Sequence, residues 1–314
     1  MGDTKRPGSG EMVAIPSGEF LQGAGARYPE EGPPARVSVD GFVIDRFPVT
    51  NQRFSRFVAE TGYETTAERP VPLPGKREGE GVWTEPGSLV FTPTPGPVPL
   101  TDWRRWWRWV PGASWRHPAG PGSDLSGRED HPVVQVSYAD AGAFAAWEGK
   151  RLATEVEWEF AARGGIDGAT YSWGEASNRG GVYANTWQGR FPYENRGAGE
   201  GRWVGTSPVG SFPQNGYGLS DMTGNVWEWT TSPWVAAPTG SGDAVAASCG
   251  CTARREAASA EVASERSRVL KGGSHLCAPE YCLRYRPAAR SEQTEDSATS
   301  HIGFRCVADA MVWS

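Results

Sequence analysis

Glycine and proline interrupt this chain so often that no apolar pattern runs far enough to build a long element. Of its 314 residues, 41 are Gly and 25 are Pro, roughly a fifth of the total. Both residues end helices and strands, one through backbone freedom and the other through a missing N–H. The 15 Trp, 11 Phe and 9 Tyr are nevertheless spread along the whole length. A chain with so many large apolar rings can bury a core, which excludes a disordered one. No linker separates two compositions, and no fixed-period repeat is present. The economical reading is a single α+β domain over residues 11–314 with low regular secondary structure, preceded by a flexible tail at residues 1–10.

Charge narrows the classes of partner. The net charge of −6 gives no general pull toward nucleic acid. No apolar run approaches the roughly 20 residues needed to span a bilayer. The first residues, "MGDTKRPGSGEMVAIPSGEF", lack the apolar core of a secretory signal. The expectation is a cytoplasmic protein with reduced thiols, acting without nucleic acid or membrane, as a monomer. Its five cysteines, Cys249, Cys251, Cys277, Cys282 and Cys306, are odd in number and do not read as a disulfide framework.

Local patterns place a few elements. Strands are expected between Met12 and Val49, as in "VSVDGFVIDRFPVT". Thr50 opens a helix whose face carries Phe54, Phe57 and Val58, and Gly62 closes it. Ser137 opens a second, with Ala141, Phe144 and Trp147 in phase and Gly149 as the stop. Thr154 and Glu157 form a capping-box pattern before a third. Residues 69–101 have no period and read as a long loop. Beyond residue 166 the chain reads as short strands and turns, with residues 236–264 as an exposed excursion.

Three stretches carry chemistry. "WRRWWRWV", residues 103–110, alternates Arg and Trp. That pattern suits nucleic-acid stacking, Arg packed on Trp at a core edge, or a wall for an extended peptide. "LSDMTGNVWEWT", residues 219–230, offers oxygens around Gly224 in the manner of an irregular calcium site, or of a plain turn. "SHLCAPEYC", residues 274–282, places Cys277 and Cys282 five positions apart. Two thiolates suit Cu(I), a redox pair or two buried structural cysteines. The scattered His117, His131, His275 and His301 do not supply zinc spacing. Cys306, in "HIGFRCVA", reads as core.

Taken together, "HPVVQVSYADAGAFAAWEGKRLATEVEWEFAARGG", "NGYGLSDMTGNVWEWT" and "RVLKGGSHLCAPEYCLRYRPAARSEQTEDSATSHIGFRCV" resemble the sulfatase-modifying-factor family, and within it the formylglycine-generating enzymes. The resemblance covers roughly residues 10–312. It implies a C-type-lectin-like formylglycine-generating-enzyme fold with structural Ca2+. It also implies oxidation, by dioxygen, of one cysteine in a Cys-x-Pro-x-Arg motif of an unfolded sulfatase polypeptide. By the same resemblance Cys277 and Cys282 hold Cu(I) and Ser274 acts beside them. Trp106 or Trp107, Tyr281, Arg290 and His301 wall or orient the peptide. Asn185, Thr186, Glu200, Asp221, Met222, Gly224 and Val226 are the implied calcium ligands, with Glu228 as a further oxygen. Ala162 and Pro287 stand where secreted relatives carry disulfide cysteines, which agrees with a reducing setting. Two alternatives remain: a non-haem iron sulfoxide-synthase-type oxidase, which needs a histidine cluster, and a non-catalytic lectin-like binding module.

Overall fold

The computed structural model describes residues 11–70, 85–175, 181–235 and 266–310. The expected tail at residues 1–10, the excursion at residues 236–264, and with it Cys249 and Cys251, lie outside the described residues.

The three expected helices form where their end signals stand. The first, α1, spans Asn51–Thr61. The Thr50 hydroxyl accepts from the Arg53 N–H at 3.3 Å, and Gly62 closes the helix in the left-handed region at φ 68°. Phe54, Phe57 and Val58 are buried. Helix α2, Tyr138–Trp147, starts with a reciprocal cap. The Ser137 hydroxyl accepts from the Asp140 N–H, and the Asp140 carboxylate accepts from the Ser137 N–H at 2.8 Å. Helix α3, Glu155–Arg163, repeats this arrangement with Thr154 and Glu157. Phe54, Phe57 and Phe144 from α1 and α2 pack with Trp115 and Phe304 in one core cluster.

Two four-stranded sheets carry the rest. One runs in the order Met12–Ile15, Phe42–Asp45, Cys306–Asp309, Arg151–Leu152, so the chain's two ends share a sheet. The other runs Arg290–Thr294, Ser267–Lys271, Trp227–Pro233, Ile302–Gly303, with only the last pairing parallel. Helix α3 is fastened to this second sheet by buried charge. Lys271, fully buried, lies 3.0 Å from Glu159, which also pairs with Arg163 at 2.6 Å. Buried charges persist only when paired in this way. The fastening sits at the last residue before the segment that bears the two thiols.

One sequence expectation is corrected. Residues 69–101 are not wholly loop, because Gly87–Phe91 is a strand paired antiparallel with Trp107–Pro111. The partner lies beyond an irregular connection, so local periodicity does not reveal it. A side chain at Gly87 would meet the Val110 carbonyl at 2.5 Å, so the close pairing depends on that glycine. The Arg–Trp alternation is thereby a strand in part. Trp106 and Trp107 are buried among other rings, while Trp109 is 42% exposed.

Candidate active site

The thiol-bearing turn begins at two glycines. Gly272 and Gly273 leave the strand at φ 91° and 72°, and a Cβ on Gly273 would lie 2.6 Å from the Arg284 carbonyl. Only glycine lets the outgoing and returning limbs approach so closely. The Cys277 N–H then donates to the Ser274 carbonyl at 2.9 Å, and the Cys282 N–H to the Ala278 carbonyl at 2.7 Å. This second turn folds Cys282 back over Cys277. Their sulfurs are 3.1 Å apart, well beyond the roughly 2.05 Å of a disulfide bond. Both residues are buried, at 0% and 1% exposure. The Ser274 hydroxyl accepts from the Leu276 N–H at 3.2 Å, and the Ser274 N–H points at the Cys277 sulfur at 3.5 Å.

Rings close over this turn. Tyr281 stacks on Phe191 with centroids 4.5 Å apart and planes within 3°. Trp106 meets both of them edge-on at 5.4 Å. Trp107 lies 4.7 Å from the His301 ring, which is fully buried with Nδ1 at 2.8 Å from the Thr299 hydroxyl. Leu276 and Ala278 join the same apolar cluster. Tyr281 is its partly exposed member directly beside Cys282.

Behind the thiols lies the oxygen-rich segment. Asp221, Gly224 and Asn225 all take positive φ, at 56°, 78° and 58°. A Cβ on Gly224 would lie 2.5 Å from the Asn185 carbonyl, to which the Asn225 N–H donates at 2.8 Å. Asn185 Oδ1 is buried with no hydrogen-bond partner. Asp221 is buried and accepts from the Gly210 N–H at 2.7 Å; burial first, and the nearby Glu228 charge, push its carboxyl up to about 6. The two regions are tied by His275. Its N–H and its Nδ1 both reach the Asn225 carbonyl, at 2.9 and 2.8 Å. Burial lowers this imidazole to about 4, so it is neutral, and a carbonyl partner requires the proton on Nδ1. A cavity of about 70 Å³ lies against Asp221, Met222 and Thr223 rather than against the thiols.

Residues 1–310 match the sulfatase-modifying factor enzyme 1-like domain. The chain belongs to this family. It is 56% identical over 301 residues to the formylglycine-generating enzyme of Mycobacterium tuberculosis, covering 95% of this chain and 98% of that one. It is 45% identical to the formylglycine-generating enzyme of Thermomonospora curvata, covering 96% and 94%. The structure of PvdO from Pseudomonas aeruginosa superposes with a TM-score of 0.56 at 24% identity, covering 98% and 100%, a likeness of fold. This family member is therefore an enzyme of the formylglycine-generating kind, built as the single domain that the sequence implied.

Within the family fold, the residues singled out from the sequence fall into three groups. Cys277, Cys282, Ser274, Tyr281 and Trp106 come together around the thiols, with Trp107 and His301 in the next contact. Asn185, Thr186, Asp221, Met222, Gly224 and Val226 are buried in the oxygen-rich region, whereas Glu200 is exposed in the turn closed by Ala198 and Trp203. Arg290 faces other partners: its Nη2 reaches Glu155 at 3.0 Å and its guanidinium covers Trp234 at 4.6 Å. Glu228 gives both oxygens to Arg305, and one also accepts from Trp158 Nε1. The four histidines stand apart, each Nδ1 on a different partner: Ser123, Thr206, Asn225 and Thr299.

Several contributors were not read from the sequence. Phe191 reaches the site from a short hairpin, and its N–H is held by Glu280. The limb after Cys282 is clamped by residues near the start of the chain. Arg286 pairs with Glu31 through two contacts of 2.7 and 2.8 Å, both side chains fully buried, and Arg284 pairs with Glu30 at 2.5 Å. The Leu283 N–H donates to the Tyr28 hydroxyl at 3.2 Å. The acidic pair next to Pro29 was visible, but nothing local ties it to arginines some 255 positions away.

Proposed function

We propose that the protein oxidises one cysteine of an unfolded sulfatase, within a Cys-x-Pro-x-Arg motif, to Cα-formylglycine, using dioxygen and a Cu(I) ion held by Cys277 and Cys282. The observation that carries this reading is the buried thiol pair, 3.1 Å apart, in a chain so similar to named formylglycine-generating enzymes. The donor set fits the ion. Thiolates select Cu(I), and two of them leave room for a third sulfur. Two thiolates without histidines at zinc spacing are a donor set that suits a soft ion of low coordination. Bound at this pair, Cu(I) supplies a thiophilic anchor for the substrate sulfur and the means of activating dioxygen.

The chain's own residues supply the rest. The turn closed at Ser274 and Ala278 holds both sulfurs before substrate arrives, so little reorganisation is needed. The Ser274 hydroxyl, already accepting from Leu276, keeps its own proton to donate toward the reacting atoms. Trp106, Phe191 and Tyr281 exclude water from the thiols and offer flat walls to an extended peptide. A folded client cannot bring its cysteine into such a site. In the oxygen-rich region, the partnerless Asn185 Oδ1 and the buried Asp221 carboxyl support a structural Ca2+ site. No helix among the described residues is long and apolar enough to cross a membrane. The reading takes the cytoplasm as the enzyme's compartment because both thiols must stay reduced to hold the ion. The iron-oxidase alternative needs clustered histidines, and the four here stand apart.

The test is incubation with a synthetic Cys-Thr-Pro-Ser-Arg peptide under air and under argon, with a hydrazide to trap aldehyde. Aldehyde under air alone is expected. A peptide unchanged in both atmospheres would overturn the reading.

A further inference from the structure

Four oxidisable rings are stacked in a row whose innermost member shares the core cluster of the thiol pair. Tyr285 lies in the same core cluster as Cys277 and Cys282. Its phenol is pushed up to about 12, first by burial and then by neighbouring Tyr171 and the thiols. Tyr285 stacks on Tyr171 with centroids 6.0 Å apart and planes within 24°. Tyr171 stacks on Trp173 at 5.1 Å and 12°, and Trp173 on Tyr183 at 5.4 Å and 23°. Tyr285 and Tyr171 are buried, while Trp173 and Tyr183 are partly exposed and line the cavity beside Asp221. The row thus runs from the protein's interior to its surface.

Tyrosine and tryptophan also line the Trp106–Tyr281 cluster, but there Tyr281 stacks on Phe191 and meets Trp106 edge-on, whereas every stacked step of this row joins two oxidisable rings. The core around Phe54 is mostly phenylalanine, with one stacked pair, Phe54 on Phe144, and several rings meeting at edges. Phenylalanine does not give up an electron at potentials a protein reaches. Tyrosine and tryptophan do, at potentials close to that of a thiol. Electron tunnelling weakens steeply with distance, so three short steps between stacked rings outrun a single long one.

We propose that Tyr285, Tyr171, Trp173 and Tyr183 form an electron-transfer column linking the Cys277–Cys282 pair to the surface. Its purpose rests on the oxidative reading of the thiol site; its conduction does not. When a dioxygen-derived one-electron oxidant strands a thiyl radical on Cys277 or Cys282, the Tyr285 phenol gives it a hydrogen atom. The S–H bond is restored and a phenoxyl radical remains. Tyr285 regains an electron and a proton from Tyr171, Tyr171 from Trp173, and Trp173 from Tyr183, which leaves the radical on Tyr183. Tyr183 finally takes a hydrogen atom from a small thiol in solution, and two of the resulting thiyl radicals join as a disulfide. The site is returned to its dithiol state without damage to Cys277 or Cys282.

The column is tested in the opposite direction on metal-free protein without oxygen. Tris(bipyridyl)ruthenium(III), photogenerated with a cobalt(III) ammine as terminal acceptor, is too bulky to reach thiols that are 0% and 1% exposed. Two electrons drawn through the column convert the pair to a disulfide with release of two protons, and alkylation with mass spectrometry counts the remaining thiols. The column predicts that Tyr171→Phe and Trp173→Phe, which keep a ring in place, slow thiol loss several-fold. Trp203→Phe, a ring outside the column, leaves the rate unchanged. Thiol loss at the wild-type rate in both column variants, with melting temperatures intact, would overturn the proposal. Slowed loss in a protein that makes no peptide aldehyde would keep the column and discard the oxidase reading.

Discussion

Cys277 and Cys282 are enclosed so fully that a serine at either position alters the softness of one donor more than it alters packing. A lone thiolate holds Cu(I) far more weakly than a pair. Cys277→Ser and Cys282→Ser are each expected to lose competitive Cu(I) binding against a chromophoric chelator, with melting temperature near that of the wild type. Normal copper stoichiometry in either variant would remove the pair from the site. Spacing alone made this pair visible, because five positions and a tight turn suffice to bring two side chains together. It could not choose among disulfide, redox pair, metal pair and plain core. The 3.1 Å separation describes the dithiol form of the pair and leaves the choice of its chemistry to the site around it. His275 was legible merely as a neighbour. Its tie to Asn225 depends on a chain crossing 50 positions away, which no local pattern encodes.

The helices were legible because their signals are local: Thr50, Ser137 and Thr154 cap within three residues of themselves. The strand Gly87–Phe91 was not, since its partner lies beyond an irregular connection and only pairing defines it. The same limit hid the clamp on the limb after Cys282. Arg286 is fully buried and relies on the Glu31 carboxylate for charge balance. Glu31→Gln leaves that cation without its counter-charge, a loss on the order of 3–5 kcal/mol. A urea titration should show the midpoint falling with the slope preserved. A change well under 1 kcal/mol would mean that the Leu283 and Gly25 carbonyls, which also accept from Arg286, carry the guanidinium by themselves.

Across the whole molecule, stability should depend on pH through histidines that are buried neutral. Burial, followed by the Arg128 charge, lowers His131 from 6.5 to about 4. The unfolded chain therefore binds a proton that the folded chain refuses. The contribution is complete above pH 6.5 and is lost as pH falls toward 4, on the order of 1–3 kcal/mol. Melting temperatures of the wild type should decline through that window, and His131→Gln should flatten part of the decline. An identical pH profile for the two proteins would reassign the effect. The central claim concerns the complete site, in which the glycine turn, the clamped limb and the aromatic wall hold two sulfurs ready for one ion and one substrate thiol. It is tested most directly by aldehyde yield from a Cys-Thr-Pro-Ser-Arg peptide in air, using the same protein stripped of metal and then reloaded with one equivalent of Cu(I). The account predicts no aldehyde from the stripped protein and recovery on reloading; equal yields from the two would contradict it.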